Sequence, residues 1–103
     1  MNIEQEIVFR LKPLKPQKII VFGSYASDSF DEDSDIDLCI IKSVSKEDSR
    51  ELTLDARKKL RDLIFKYHIG FDIIAVSQEY IDRIKDPFFT DEILKQGKEI
   101  YAK

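Results

Sequence analysis

Residues 19–41 read IIVFGSYASDSFDEDSDIDLCII. An apolar run ends in Gly23-Ser24, an acidic stretch follows, and Asp35-Ile36-Asp37 opens a second apolar run. Runs this short, this β-branched and bounded by turn residues are strands rather than helices. The reading is strand, tight turn, short helix or loop, strand, with a Gly-Ser corner near one end of a sheet. Side chains at i and i+2 of a strand share a face, about 6.6 Å apart along it. Asp35, Asp37, Cys39 and Ile41 are therefore expected on one face, and Ile36, Leu38 and Ile40 on the other.

This pattern has a chemical use. Paired carboxylates at that spacing suit two divalent cations about 4 Å apart, the arrangement that supports in-line displacement at phosphorus. Gly23 allows a sharp turn and close approach to a ligand. Ser24 and the amides after it can donate to phosphate oxygens, above all where a helix begins. No Gly-Lys-Ser/Thr follows, so this is not a P-loop. Asp is depleted in strands, yet a third carboxylate, Asp72, stands at the start of another apolar run, Phe71-Asp72-Ile73-Ile74. Asp31, Asp33 and Asp35 have the first spacings of a calcium loop. Ile36 and Lys42 stand where that loop needs Gly and Glu, which argues against calcium.

The rest of the chain reads as helices around these strands. Residues 2–11 form an amphipathic helix on Ile3, Ile7 and Leu11, with Asn2 as N-cap, ended by Pro13 and Pro16. Residues 18–22 are a buried strand. Residues 45–67 form the long helix, capped by Ser45 with Asp48, with an apolar stripe of Leu52, Ala56, Leu60, Leu63, Ile64 and Tyr67, and ended by Gly70. Residues 71–76 are the third strand, with Asp72, Ile74 and Val76 on one face. A short helix capped by Ser77 follows. A last helix then carries Phe88, Ile93, Leu94 and Gly97, before a brief terminal strand over 99–102. The fold class is α/β (α+β), a small mixed sheet with helices mainly on one face. Residues 1–103 are expected to form one domain.

Composition narrows the function classes. The formal net charge of −3 gives no general attraction to nucleic acid. The single cysteine, Cys39, excludes an intrachain disulfide and fits a reducing cytoplasm. No apolar stretch approaches the roughly 20 residues that span a bilayer. The acidic start MNIEQEIVFR lacks a signal core, so a cytoplasmic protein is expected. His68, at the end of the long helix, and Cys39, inside a strand, read as structural. Arg57, Lys58, Lys59 and Arg61 read as a solvated face beside Glu51 and Asp55, with a docking surface as the other reading. Tyr25 lies near enough to the corner to touch a nucleotide or an acceptor.

Gly-Ser, ten residues, then Asp-x-Asp resembles the signature of the polymerase-β-like nucleotidyltransferases, and the compact chain looks like their smallest branch, the minimal nucleotidyltransferases. The resemblance runs over residues 18–101. It implies their fold, Gly23 and Ser24 as nucleotide-binding residues, and Asp35, Asp37 and Asp72 as both catalytic groups and metal ligands. It implies Mg²⁺, in two ions, and ATP as substrate. It also implies a partner, since such proteins are commonly encoded beside a HEPN-family RNase toxin and neutralise it by moving AMP onto one of its tyrosines. Neither a membrane nor a nucleic acid is expected as partner. Two other readings are a binding module that works by occlusion and a small-molecule nucleotidyltransferase. One departure stands out: the Ala-Arg-Gly usual after the corner is here Ala26-Ser27-Asp28. Arg10, Lys12, Lys15 and Lys18 are the cations on hand to replace that arginine.

Overall fold

The fold is built on two strands that the Gly23 corner turns against each other. The computed structural model describes residues 1–26 and 35–103. Strands β1 (Lys18–Phe22) and β2 (Ile36–Ile41) pair antiparallel, so that Phe22 lies opposite Asp37. Helix α2 (Lys46–Tyr67) then returns the chain to the starting end of β2, and β3 (Phe71–Val76) runs parallel beside it, with Asp37 opposite Asp72. A helical crossover is what a parallel pair requires. The terminal strand β4 (Lys98–Ala102) pairs antiparallel with the other edge of β1, giving the order β3-β2-β1-β4.

Side-chain parity divides the interior into two layers. Ile36, Leu38 and Ile40 join Ile19 and Val21 on the face covered by α1 (Ile3–Leu11) and α2, whose Ile7, Leu11, Leu52, Ala56, Leu60 and Leu63 complete that core. Cys39 and Ile41 join Ile20 and Phe22 on the opposite face, under α3 (Gln78–Ile84) and a π-helix (Phe88–Lys95) that contribute Ile81, Phe89 and Ile93. The expected alternation of β2 is therefore the division between the two cores. A one-residue slip would send its apolar side chains to the wrong layers.

The caps explain where the helices stop. The Asn2 side chain accepts from the Gln5 amide, and Gln5 returns the bond to Asn2, a complete capping box. Ser45 and Ser77 cap α2 and α3 in the same sense. The end of α2 differs from expectation. His68 takes the left-handed conformation (φ 54°) that closes the helix, two residues before Gly70. Ile64, assigned above to the buried stripe, is 39% exposed, because it lies on the flank of α2 rather than at its centre. The last helical segment is a π-helix and ends at Lys95, so Gly97 lies beyond it, and Leu94 is exposed. Gly97 still serves packing, since a Cβ there would lie 2.6 Å from Ile20 Cγ2.

α1 is tied to α2 by charge as well as by apolar contact. Glu6, buried on α1, accepts from Lys66 Nζ at 2.8 Å and from the Tyr67 hydroxyl. Those two hydrogen bonds hold its carboxyl below the usual glutamate range. Arg10 reaches Asp62 at 2.6 Å. Among the described residues no helix is long and apolar enough to cross a membrane.

Candidate active site

Both glycines beside the carboxylates make room for them. Gly23 turns the chain out of β1 with φ 74°, a conformation glycine adopts without steric cost. A Cβ at Gly23 would overlap Asp37 Oδ2. Gly70, which precedes β3, faces Asp35 in the same way: a Cβ there would come 2.6 Å from Asp35 Oδ1. The Gly70 carbonyl also accepts from the Ile36 amide at 3.0 Å, which fixes the start of β3 against the start of β2. From sequence alone Gly70 is expected only to end the long helix. Its closer relation is to Asp35.

Asp37 sits at the centre of the group. It is opposite Phe22 on one side and Asp72 on the other, and Asp35 stands two residues before it. Partial burial, the charges of Asp72 and Asp35 and a hydrogen bond with Asp72 push its carboxyl above the usual aspartate range. Asp35 and Asp72 are exposed. The carboxylates are thus neighbours, as the strand parity requires, but among the described residues no three such ligands converge on a single point. The donor set fits a hard divalent cation, because carboxylate oxygens are what Mg²⁺ prefers. Mutual repulsion, seen at Asp37, is the feature such a charge would relieve.

Asp37 and Asp72 open into a cleft of about 450 Å³ lined also by Phe22, Gly23, Arg57, Ile73, Ile74, Phe88 and Glu92. Phe22 and Phe88 meet edge to face at 5.8 Å and form its apolar wall. A larger depression, about 690 Å³, lies at the far end of β1 around Lys18, Ile41 and Gly97, away from the carboxylates. The smaller cleft is the one with chemistry in it.

Ser24 follows Gly23 in a turn that the structure describes through Ala26, and it is half-buried. Ser27, Asp28, Asp31, Glu32 and Asp33 lie outside the described residues. Tyr25 turns toward α1, where its hydroxyl donates to Glu4 at 3.0 Å; Glu4 also accepts from Lys98 at 3.0 Å. The corner is thereby anchored to the first helix and the last strand. Of the four cations offered in place of the missing arginine, Arg10 pairs with Asp62 and Lys18 with Glu99. The cleft's own cation is Arg57, read above as part of a solvated face. Its position next to the buried Ala56, on the flank of α2, was the available signal.

The sequence profile described as "Polymerase beta, Nucleotidyltransferase" matches residues 5–103. The chain belongs to this nucleotidyltransferase family. Two proteins of Methanocaldococcus jannaschii are similar along most of the chain. "Putative protein adenylyltransferase MJ0604" is 31% identical over 107 residues, covering 98% of this chain and 100% of the relative. "Putative protein adenylyltransferase MJ0141" is 31% identical over 86 residues, 84% of this chain and 80% of the relative. Among solved structures, a crystal structure of a toxin-antitoxin with AMP-PNP superposes with a TM-score of 0.66 at 21% identity, over 99% of this chain and 75% of that one. The toxin-antitoxin MntA-HepT superposes at 0.54 and 18% identity, over 97% and 70%. At that identity the likeness is one of fold. The nucleotidyltransferase thus carries its family's sheet, with an acidic cluster at one end.

Proposed function

We propose that this nucleotidyltransferase is a protein adenylyltransferase antitoxin, which moves AMP from ATP onto a tyrosine hydroxyl of a partner HEPN-family RNase toxin. The observation that carries the reading is that Asp37, packed against Gly23, has Asp72 opposite it and Asp35 close enough to repel it. The names of the curated relatives and the fold shared with toxin-antitoxin proteins support the same direction.

In this reading the triphosphate lies against Gly23 and Ser24, where the missing side chain of Gly23 lets phosphate oxygens approach the backbone. Asp35, Asp37 and Asp72 would hold Mg²⁺. When bound, the metal neutralises charge on the triphosphate and on the attacking oxygen. Asp72, exposed on the edge strand, takes the proton of the acceptor hydroxyl. The hydroxyl oxygen forms a bond to the α-phosphorus, the bond from that phosphorus to the β-phosphate bridging oxygen breaks, and pyrophosphate leaves with its electrons. Positioning and electrostatics supply most of the rate.

The replacement of the usual arginine by Ser27 favours a second reading, a module that neutralises its partner by occlusion. One experiment separates the two. The chain, Mg²⁺ and ATP labelled at the α-phosphate are incubated with the HEPN protein encoded beside it. The proposal predicts label on the partner, and loss of both label and neutralisation in Asp35→Asn/Asp37→Asn. An unlabelled partner, with both proteins folded and bound to each other, sinks the transferase reading. Neutralisation that survives the double substitution establishes occlusion.

A further inference from the structure

The long helix α2 separates its charges by flank. Taking about 100° per residue, the buried stripe is centred on Ala56, and Arg50, Arg57 and Arg61 fall about 100–140° to one side. Asp48, Asp55 and Asp62 fall about 80–120° to the other side, with Lys59 and Lys66 among them. That acidic flank faces α1, where Arg10 binds Asp62 and Glu6 binds Lys66. The arginine flank carries no Asp or Glu. None of its three arginines forms an ion pair among the described residues. Exposed apolar side chains lie beside them: Leu54 at 52%, Ile64 at 39% and Phe65 at 74%.

The position of this ridge matters more than its composition. β3 is the edge strand of the sheet, and α2 packs over it. α1 lies on the opposite flank of α2, so the arginine ridge looks out beyond the edge of β3. Arg57 belongs to the ridge and also lines the cleft that holds Asp37 and Asp72. Across the sheet the order is therefore Gly23 just beyond the end of β1, Asp37 on β2 and Asp72 on the edge strand β3, with Arg57 reaching the same cleft from α2. If the triphosphate takes the Gly23 end, the hydroxyl that receives AMP enters from the Arg57 end.

From this order we infer that the ridge from Arg50 to Phe65 is the docking surface for the acceptor protein. The inference rests on the transferase reading for the word acceptor, and on geometry for the surface. Its occupant is a folded protein with an acidic, partly apolar patch beside the hydroxyl that is modified. Three arginines with no ion pair among the described residues, over a partly apolar strip, select such a patch in a chain whose own net charge is −3. Arginines interleaved with exposed apolar side chains give this flank the makeup of a protein contact rather than of a purely solvated face. Continuity through Arg57 gives the dock its register: a partner seated on the ridge presents its hydroxyl to Asp72.

The test uses Arg50→Glu/Arg61→Glu. Arg50 lies two helical turns from Arg57 and Arg61 one turn, about 10 Å and about 6 Å along the axis, and neither lines the cleft. Two affinities are measured by calorimetry on the full chain: for the HEPN protein of the proposed function, and for a non-hydrolysable ATP analogue with Mg²⁺. The expected result is a weakening of the partner complex by about tenfold or more, steeper at low salt, with analogue binding unchanged. Leu54→Ser is expected to weaken the same complex without altering its salt dependence. Partner affinity that is unchanged in both variants overturns the inference. So does a ridge that binds a single-stranded RNA oligonucleotide in preference to the protein. Since the readout is binding, it is judged apart from labelling: a partner that docks on the ridge but gains no AMP refutes the transferase reading alone.

Discussion

Gly23 stands against the carboxylate of Asp37 with no space between them for a methyl group. Its φ of 74° adds a second demand that alanine meets poorly. Gly23→Ala is thus expected to cost about 1–2 kcal/mol of stability, measured by urea denaturation. It should also abolish transfer by pushing Asp37 out of its place beside Gly23 and toward Asp72. Gly70→Ala is the informative companion. Its added Cβ meets only the end of the exposed Asp35 side chain, and no positive φ is involved. Its stability loss should stay below about 1 kcal/mol while transfer still falls. Equal stability losses for the two variants would refute this account of the corner.

Asp37→Asn should stabilise the fold while destroying its activity. The folded state raises the Asp37 carboxyl above its ordinary range, through burial and the charges of Asp72 and Asp35. A raised carboxyl binds its proton more tightly when folded. Its contribution to stability is therefore greatest below the ordinary aspartate value and falls as pH rises through the interval up to the raised one. At neutral pH the ionised cluster opposes folding. Wild type and Asp37→Asn compared by thermal unfolding should differ by a few degrees at pH 7, the variant being higher. The gap should close below about pH 4. Added Mg²⁺ should raise the wild-type midpoint and leave Asp35→Asn/Asp37→Asn unmoved. Labelling of the partner should fall at least about a thousandfold in Asp37→Asn.

What the sequence made legible was whatever short-range chemistry dictates. The β1 bounds follow from a β-branched run that stops at a glycine. The division of β2 between two cores follows from a period of two, and Asn2, Ser45 and Ser77 cap because their side chains accept from amides one turn on. The same parity pointed to Asp35 and Asp37, while Asp72 was pointed to by its place at the start of another apolar run and by the family resemblance. Their packing against Gly23 and Gly70 was not legible, because it depends on how three strands align. His68 closing α2 in the left-handed region was hidden by Gly70, the more obvious terminator nearby. Arg57 was lost for a similar reason. A basic cluster reads as solvated when only neighbours in sequence are known, and the place of Arg57 beside Ala56 on the flank of α2 points to the cleft only once β3 is known to be an edge.

The Glu6 ties should make the docking of α1 sensitive to acid. Here the shift has the opposite sign to that at Asp37: hydrogen bonds from Lys66 and Tyr67 depress the folded-state carboxyl below its ordinary value of 4.5. The stabilisation is present above 4.5 and is lost as pH falls through the depressed value. Glu6→Gln keeps an acceptor for both partners but cannot titrate. Its midpoint should lie below that of wild type at pH 7, and the difference should shrink as pH falls below 4.5. A difference that persists unchanged in acid would show that charge at Glu6 contributes little.

Cys39 offers a direct report on how often the site end of β2 opens. It lies two residues beyond Asp37 on the same face and is fully buried, and burial pushes its thiol up to about 12. At pH 8 it is therefore protonated as well as inaccessible, and the thiolate is the form that alkylating reagents attack. Labelling in the native state must wait for an opening of β2 that brings the thiol to solvent. Across a urea titration, alkylation followed by mass spectrometry should track the unfolding seen by circular dichroism, with no earlier phase. Binding of ATP with Mg²⁺ should slow labelling in wild type, because ligand that binds only the folded state lowers the open population in proportion to its saturation. In Asp35→Asn/Asp37→Asn that protection should vanish. Rapid labelling in the absence of denaturant would mean that β2 opens locally, and that the carboxylates are held less firmly than their register implies.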